Sequence, residues 1–94
     1  MKAIWNGIVL AESDKTIMIE GNYYFPPDSV NRDYFGQSAL KTRCIWKGQA
    51  HYYDIEVQGE VNYAAAWHYP KPWLLARFLK DYVAFWNGVQ VVRD

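Results

Sequence analysis

The sequence predicts a mainly β fold: a small single-domain antiparallel β sheet of barrel-like or tent-like form with one or two short helices. Three observations predict it. Apolar and polar residues alternate in short runs rich in aromatic and β-branched side chains, and Gly, Pro, Asn and Asp separate those runs at close intervals. At 94 residues the chain has room for one core and one domain, residues 1–94.

Lys2 to Trp5 and Ile8 to Glu12 flank Asn6-Gly7, the strongest short hairpin signal because a type I′ turn needs φ > 0 at both central positions. Ser13-Asp14-Lys15 turns the chain into a strand from Thr16 to Glu20, with Ile17 and Ile19 on one side. Gly21-Asn22 breaks that strand before Tyr23-Tyr24-Phe25, and Pro26-Pro27 ends the ladder for want of N–H donors. Asp28 or Ser29 caps a short helix that stops at Gly36.

Ser38 to Lys47 reads as a strand, Gly48-Gln49 as a turn and Ala50 to Gln58 as the next strand. That strand points His51, Tyr53, Ile55 and Val57 at the core and Tyr52, Asp54 and Glu56 at water. The register sets Cys44 opposite Tyr53 and diagonal to His51. Glu60 to Tyr63 follows Gly59, and Trp67 to Tyr69 is extended because Pro70 disfavours the α region in the residue before it. Trp73 to Lys80 reads as the best helix, pairing Leu74 with Phe78 and Leu75 with Leu79 at i, i+4. Tyr82 to Trp86 and Val89 to Val92 then form a hairpin around Asn87-Gly88, an echo of the first.

Ten basic and ten acidic residues balance without blocks of either sign. The long-range field that draws proteins to nucleic acid or an anionic membrane is missing, so neither is an expected partner. One cysteine forms no internal disulfide and two histidines make no zinc site of several Cys or His ligands, so neither metal nor cofactor is expected. No signal-peptide core and no long apolar run precede or interrupt the pattern, and the expected location is the cytoplasm.

Trp5-Asn6-Gly7, the run from Glu20 to Pro26, Cys44 with Lys47-Gly48, Tyr52-Tyr53-Asp54, Ala65-Ala66-Trp67, Tyr69-Pro70 and Val83 to Trp86 together resemble domain-of-unknown-function family 427. The resemblance runs from Lys2 to about Val91. It implies a small, mostly antiparallel β domain with no established reaction. The family is sometimes labelled nucleotidyltransferase-like, yet this chain has no Gly-rich phosphate loop and no Asp-x-Asp pair to hold a metal. Two residues depart from the family pattern: Ile45 stands where a proline is usual, and Asp81 where a glycine is usual.

Aromatic residues make up 18% of the chain, more than a core this size encloses when so many carry an O–H or N–H needing a partner. Trp46, Tyr53, Trp67 and Tyr69 are the expected walls of a cleft, with Glu20, Asn22, Lys47 and His51 as its polar groups and Tyr24 beside them. Cys44 is either a packed thiol or one activated by a nearby cation. His68 points opposite Trp67 and Tyr69 if the segment is extended. Two functions stay open: binding, with or without turnover, of a small polar or aromatic metabolite, and a homodimer or partner surface built from exposed Trp and Tyr. A nucleotide-handling enzyme is a distant third.

Overall fold

Two Asn-Gly turns start and finish the chain's sheet work. In the computed structural model, which describes residues 1–93, β1 (Lys2–Trp5) and β2 (Ile8–Glu12) pair across Asn6-Gly7, whose φ angles of 53° and 77° are those the turn requires. β3 (Ile17–Ile19) and β4 (Asn22–Tyr24) pair as a second hairpin. Its turn is Glu20-Gly21, one residue earlier than the sequence suggests, and Asn22 sits in the ladder opposite Ile19. Two single 3₁₀ turns, Pro27–Ser29 and Arg32–Tyr34, replace the expected helix. Each ends in extended backbone, at Val30 and Phe35.

β5 (Phe35–Cys44), β6 (Gly48–Val57), β7 (Glu60–His68) and β8 (Ala84–Phe85) make the four-stranded sheet, in that order. Its first turn is Ile45-Trp46-Lys47, a three-residue loop, so Cys44 faces Gly48 and Lys41 faces His51. This corrects the register that set Cys44 against Tyr53. Gly48 suits the first position after the loop: its φ of +107° is one that side-chain-bearing residues rarely adopt.

Beyond Leu74 the expected α-helix is a 3₁₀ segment, Leu74–Leu79. A period of three buries Ala76 and Leu79 and leaves Leu74, Leu75 and Phe78 in solvent. No side chain caps its start at Trp73. After it Asp81 adopts φ +62°, the left-handed conformation that glycine supplies at low cost and that aspartate tolerates better than most residues.

The last Asn-Gly turn holds, with φ of 52° and 90°, but its arms part. β8 pairs with β7, whereas β9 (Gln90–Val92) crosses to β1 and completes the sheet β2-β1-β9. The sheets are tied by reciprocal bonds between Phe25 and Val83, 2.8 and 2.9 Å, and by Asn31 N–H to the Leu10 carbonyl at 2.8 Å.

The core has two parts. Ala3, Leu10, Phe25, Ile55, Val57, Val83 and Phe85 lie in the larger cluster; Tyr24, Ala50, Tyr69, Leu79 and Ala84 form the smaller, with Tyr52 and Trp67 packed on it. β6 serves both, Tyr53, Ile55 and Val57 joining the first and Ala50 and Tyr52 the second. Only Glu56 of the expected wet face is exposed. Asp54 instead accepts a 2.8 Å bond from Ala64 N–H, where β7 bulges and Ala64 takes φ +54°. Asp54→Ala therefore lowers unfolding free energy by about 1–2 kcal/mol in chemical denaturation, and Asp54→Asn, which keeps an acceptor, loses less. Equal losses for the two variants would show that the bond does not hold the bulge.

Candidate functional site

The sequence-predicted residues gather in two places. Around Lys47, on the side of the smaller cluster, stand Glu20, Tyr24, Cys44, Trp46 and Tyr69. The β3–β4 turn delivers Glu20 and the β5–β6 turn delivers Trp46 and Lys47. The Lys47 ammonium, with its side chain 5% exposed, pairs with Glu20 Oε1 and lies 5.1 Å from the Trp46 ring centre and 5.7 Å from that of Tyr69. Trp46 Nε1 donates to Glu20 Oε2 at 3.4 Å, and Trp67 Nε1 donates to the Tyr24 hydroxyl at 3.3 Å. The Tyr24 and Trp67 rings meet edge to face at 6.2 Å.

Glu20 occupies its turn at φ +54°. Asn, Asp and Gly suit that position, and a glutamate there carries strain that its carboxylate offsets by neutralising Lys47. The hydrogen bond from Lys47, then that from Trp46, holds the Glu20 carboxyl below the ordinary 4.5. Burial opposes the charge on Lys47, but the bond to Glu20 with the nearby Tyr24 and Cys44 outweighs it and raises the ammonium above its usual 10.5. The pair is thus ionised across the neutral range. Burial, then the neighbouring Tyr24 and Cys44, pushes the Tyr69 phenol up, so it stays protonated.

The second place lies on the other face of β6. His51 and Tyr53 line a cavity of about 530 Å³ with His68, Lys41, Gln37 and Lys71. The cavity opens where β5 is irregular between Gln37 and Lys41, a bulge of the kind that re-aims side chains beside binding sites. His51 and His68 are direct cross-strand partners. Tyr53 stacks on His68 at 4.5 Å and 14°, and its hydroxyl lies 3.2 Å from Arg32 and 3.4 Å from His68 Nε2. Since guanidinium only donates, the phenol oxygen accepts from Arg32 and shares its other bond with the imidazole. Burial, ahead of the charges of His51 and Arg32, holds the His68 pKa below 6.5 despite Asp81. His68 is therefore mainly neutral at pH 7.

The spacing of Trp67, His68 and Tyr69 foretold that His68 would face away from its neighbours, and it does, toward Tyr53. Asn22 is held in β4 by its pairing with Ile19. Arg32, Lys41 and Lys71 were missed: each comes from a turn or a bulged strand, where no periodicity marks a direction. No group of three or more His, Cys, Asp or Glu among the described residues is arranged to hold a metal ion. No helix among them is long and apolar enough to cross a membrane.

A family model described as a domain of unknown function, DUF427, matches residues 1–94. The chain belongs to the DUF427 family. No curated protein matched it. In this DUF427 chain three of the seven segments that carry the family resemblance, Glu20 to Pro26, Cys44 with Lys47-Gly48, and Tyr69-Pro70, contribute residues to the Lys47 centre.

The ion pair has a pH signature. Glu20 is lowered, so its contribution is complete above 4.5 and lost as pH falls through the folded value; Lys47 is raised, so its contribution is complete below 10.5 and lost as pH rises through the folded value. Glu20→Gln melts below the native chain at neutral pH, and the gap closes on acidification. Adding Lys47→Met restores melting temperature by removing an unpaired buried ammonium. A gap that persists at acid pH would assign the loss to the turn, not the charge.

Proposed function

We propose that this DUF427 protein binds a small polar metabolite, with an anionic group and a planar or aromatic body, in the cavity beside His51, Tyr53 and His68. The observation that carries this reading is the cavity itself: its volume of about 530 Å³ lies within the roughly 300–1,000 Å³ of small-molecule sites. Its lining supports the ligand class. Lys41 and Lys71 are the charged residues of the wall and no carboxylate accompanies them, so an anion is favoured electrostatically. Gln37, Ser38 and Gln49 offer neutral hydrogen bonds, and the stacked Tyr53 and His68 rings give a flat surface.

The Lys47 centre supports the reading indirectly. Its aromatic and ionic contacts fix the loop from which β6 departs, and so help to position His51 and Tyr53. The lone Cys44 favours a reducing compartment, the cytoplasm, as the place of action.

A thermal-shift screen of metabolites, nucleotides included, tests the proposal. A binder present at a hundredfold over its dissociation constant stabilises the folded chain by about 2.7 kcal/mol. The rise in melting temperature is expected to saturate, to favour carboxylates or phosphates, and to shrink in Lys41→Gln and His51→Ala. Both side chains reach solvent, so the unliganded melts stay near native. Hits that leave these two variants unaffected would place binding elsewhere, and silence across the screen would overturn the reading.

A further inference from the structure

We propose that the segment from Pro70 to Lys80 docks on an anionic lipid surface, a phospholipid headgroup lying among Lys71, Arg77 and Lys80 while Trp73, Leu74, Leu75 and Phe78 enter the acyl boundary. Four large apolar side chains protrude here within six residues: Trp73 is 46%, Leu74 71%, Leu75 79% and Phe78 53% exposed. The 3₁₀ period causes it, because burying Ala76 and Leu79 turns the others outward. Protrusion of this degree suits a soft phase that closes around each side chain.

Charge identifies the phase. A groove of about 240 Å³ is lined by Lys71, Arg77 and Lys80 with Pro70 and Pro72, residues that bracket the leucines in the same segment. No Asp or Glu occurs between Glu60 and Asp81, and Asp81 does not line the groove. Three cations around one depression match a phosphodiester, and the apolar side chains next to them match what is attached to it in a bilayer. A second copy of the chain fits less well, since a twofold contact through this patch sets three cations against three. The zero net charge of the chain gives no long-range pull, so the attraction acts only near the surface and weakens with salt.

Co-sedimentation of the full chain with phosphatidylcholine vesicles, with and without phosphatidylglycerol, tests this. Binding is expected only to the anionic vesicles and is expected to fall as salt rises. Leu74→Asp or Leu75→Asp abolishes it without changing the melting temperature, because both residues are exposed. Arg77→Gln combined with Lys80→Gln lowers the partition coefficient about thirtyfold, the effect of two charges at a membrane surface, and guards against a folding artefact in the leucine variants. Equal binding to neutral vesicles, or none to either, overturns the proposal. So does vesicle binding retained by Leu74→Asp. A melting-temperature rise with inorganic phosphate that Arg77→Gln with Lys80→Gln removes and Lys41→Gln does not, without vesicle binding, would reassign the groove to a free anion, and a dimer that Leu74→Asp dissociates, again without vesicle binding, would reassign the patch to self-association.

Discussion

β6 has both faces occupied, and the rest of the structure is arranged around that constraint. A strand sends alternate side chains to opposite sides, so Tyr53, Ile55 and Val57 join one cluster while Ala50 and Tyr52 join the other. A strand buried on one side needs one layer of cover; this one needs two. The larger cluster draws on β1, β2 and the segment around Phe25, and the smaller on Tyr24, Tyr69 and the 3₁₀ segment. Neighbouring Tyr24 and Phe25 thus enter different clusters, which ties the β3–β4 hairpin to both sides of the sheet.

Where the two covers stop short, polar and charged side chains gather. On one side the gap left by the bulge in β5 is the cavity in front of His51, Tyr53 and His68. On the other, Lys47 is enclosed by Trp46 and Tyr69 and closed off by Glu20. Aromatic surplus is spent in both places: Tyr24, Trp67, Tyr52 and Trp86 form a chain of ring contacts on one side, and Phe35, Tyr53 and His68 on the other. Buried rings with polar ends need partners, and the Trp67 to Tyr24 bond and the Arg32 to Tyr53 bond supply them.

What could be read from sequence was what neighbours in sequence decide. The Asn6-Gly7 hairpin was legible because its turn needs nothing outside the tetrapeptide, and the antiparallel β class followed from alternation. The second Asn-Gly turn was legible as a turn, but which strand each arm joins depends on β1 and β7, residues distant in sequence. The β5–β6 loop was misplaced by Gly48, which looked like the turn and is the first residue after it. At Leu74 to Leu79 the apolar residues fit a period of four as well as three, and only the packing of Leu79 among Tyr24, Ala50, Tyr69 and Ala84, distant in sequence, chose between them. The expected cleft joined Trp46, Tyr53, Trp67 and Tyr69 with Glu20, Asn22, Lys47 and His51; the structure gathers Glu20, Trp46, Lys47 and Tyr69 around one centre and sets His51 and Tyr53 apart, a separation that rests on the true register of β5.

The pairing of β1 with β9 reaches across almost the entire chain, Ala3 lying beside Val91. Closing a loop of that length costs about 4 kcal/mol in chain entropy, and no contact of β9 with β1 can offset the cost until the intervening sheet has shortened the distance. The first hairpin therefore stands early as a two-stranded ribbon, of itself barely stable in water, with its outer edge open for the time it takes the other strands to assemble. Folding order, and with it the interval in which that edge can meet another chain, is set by the final strand rather than by the strong turn near the beginning.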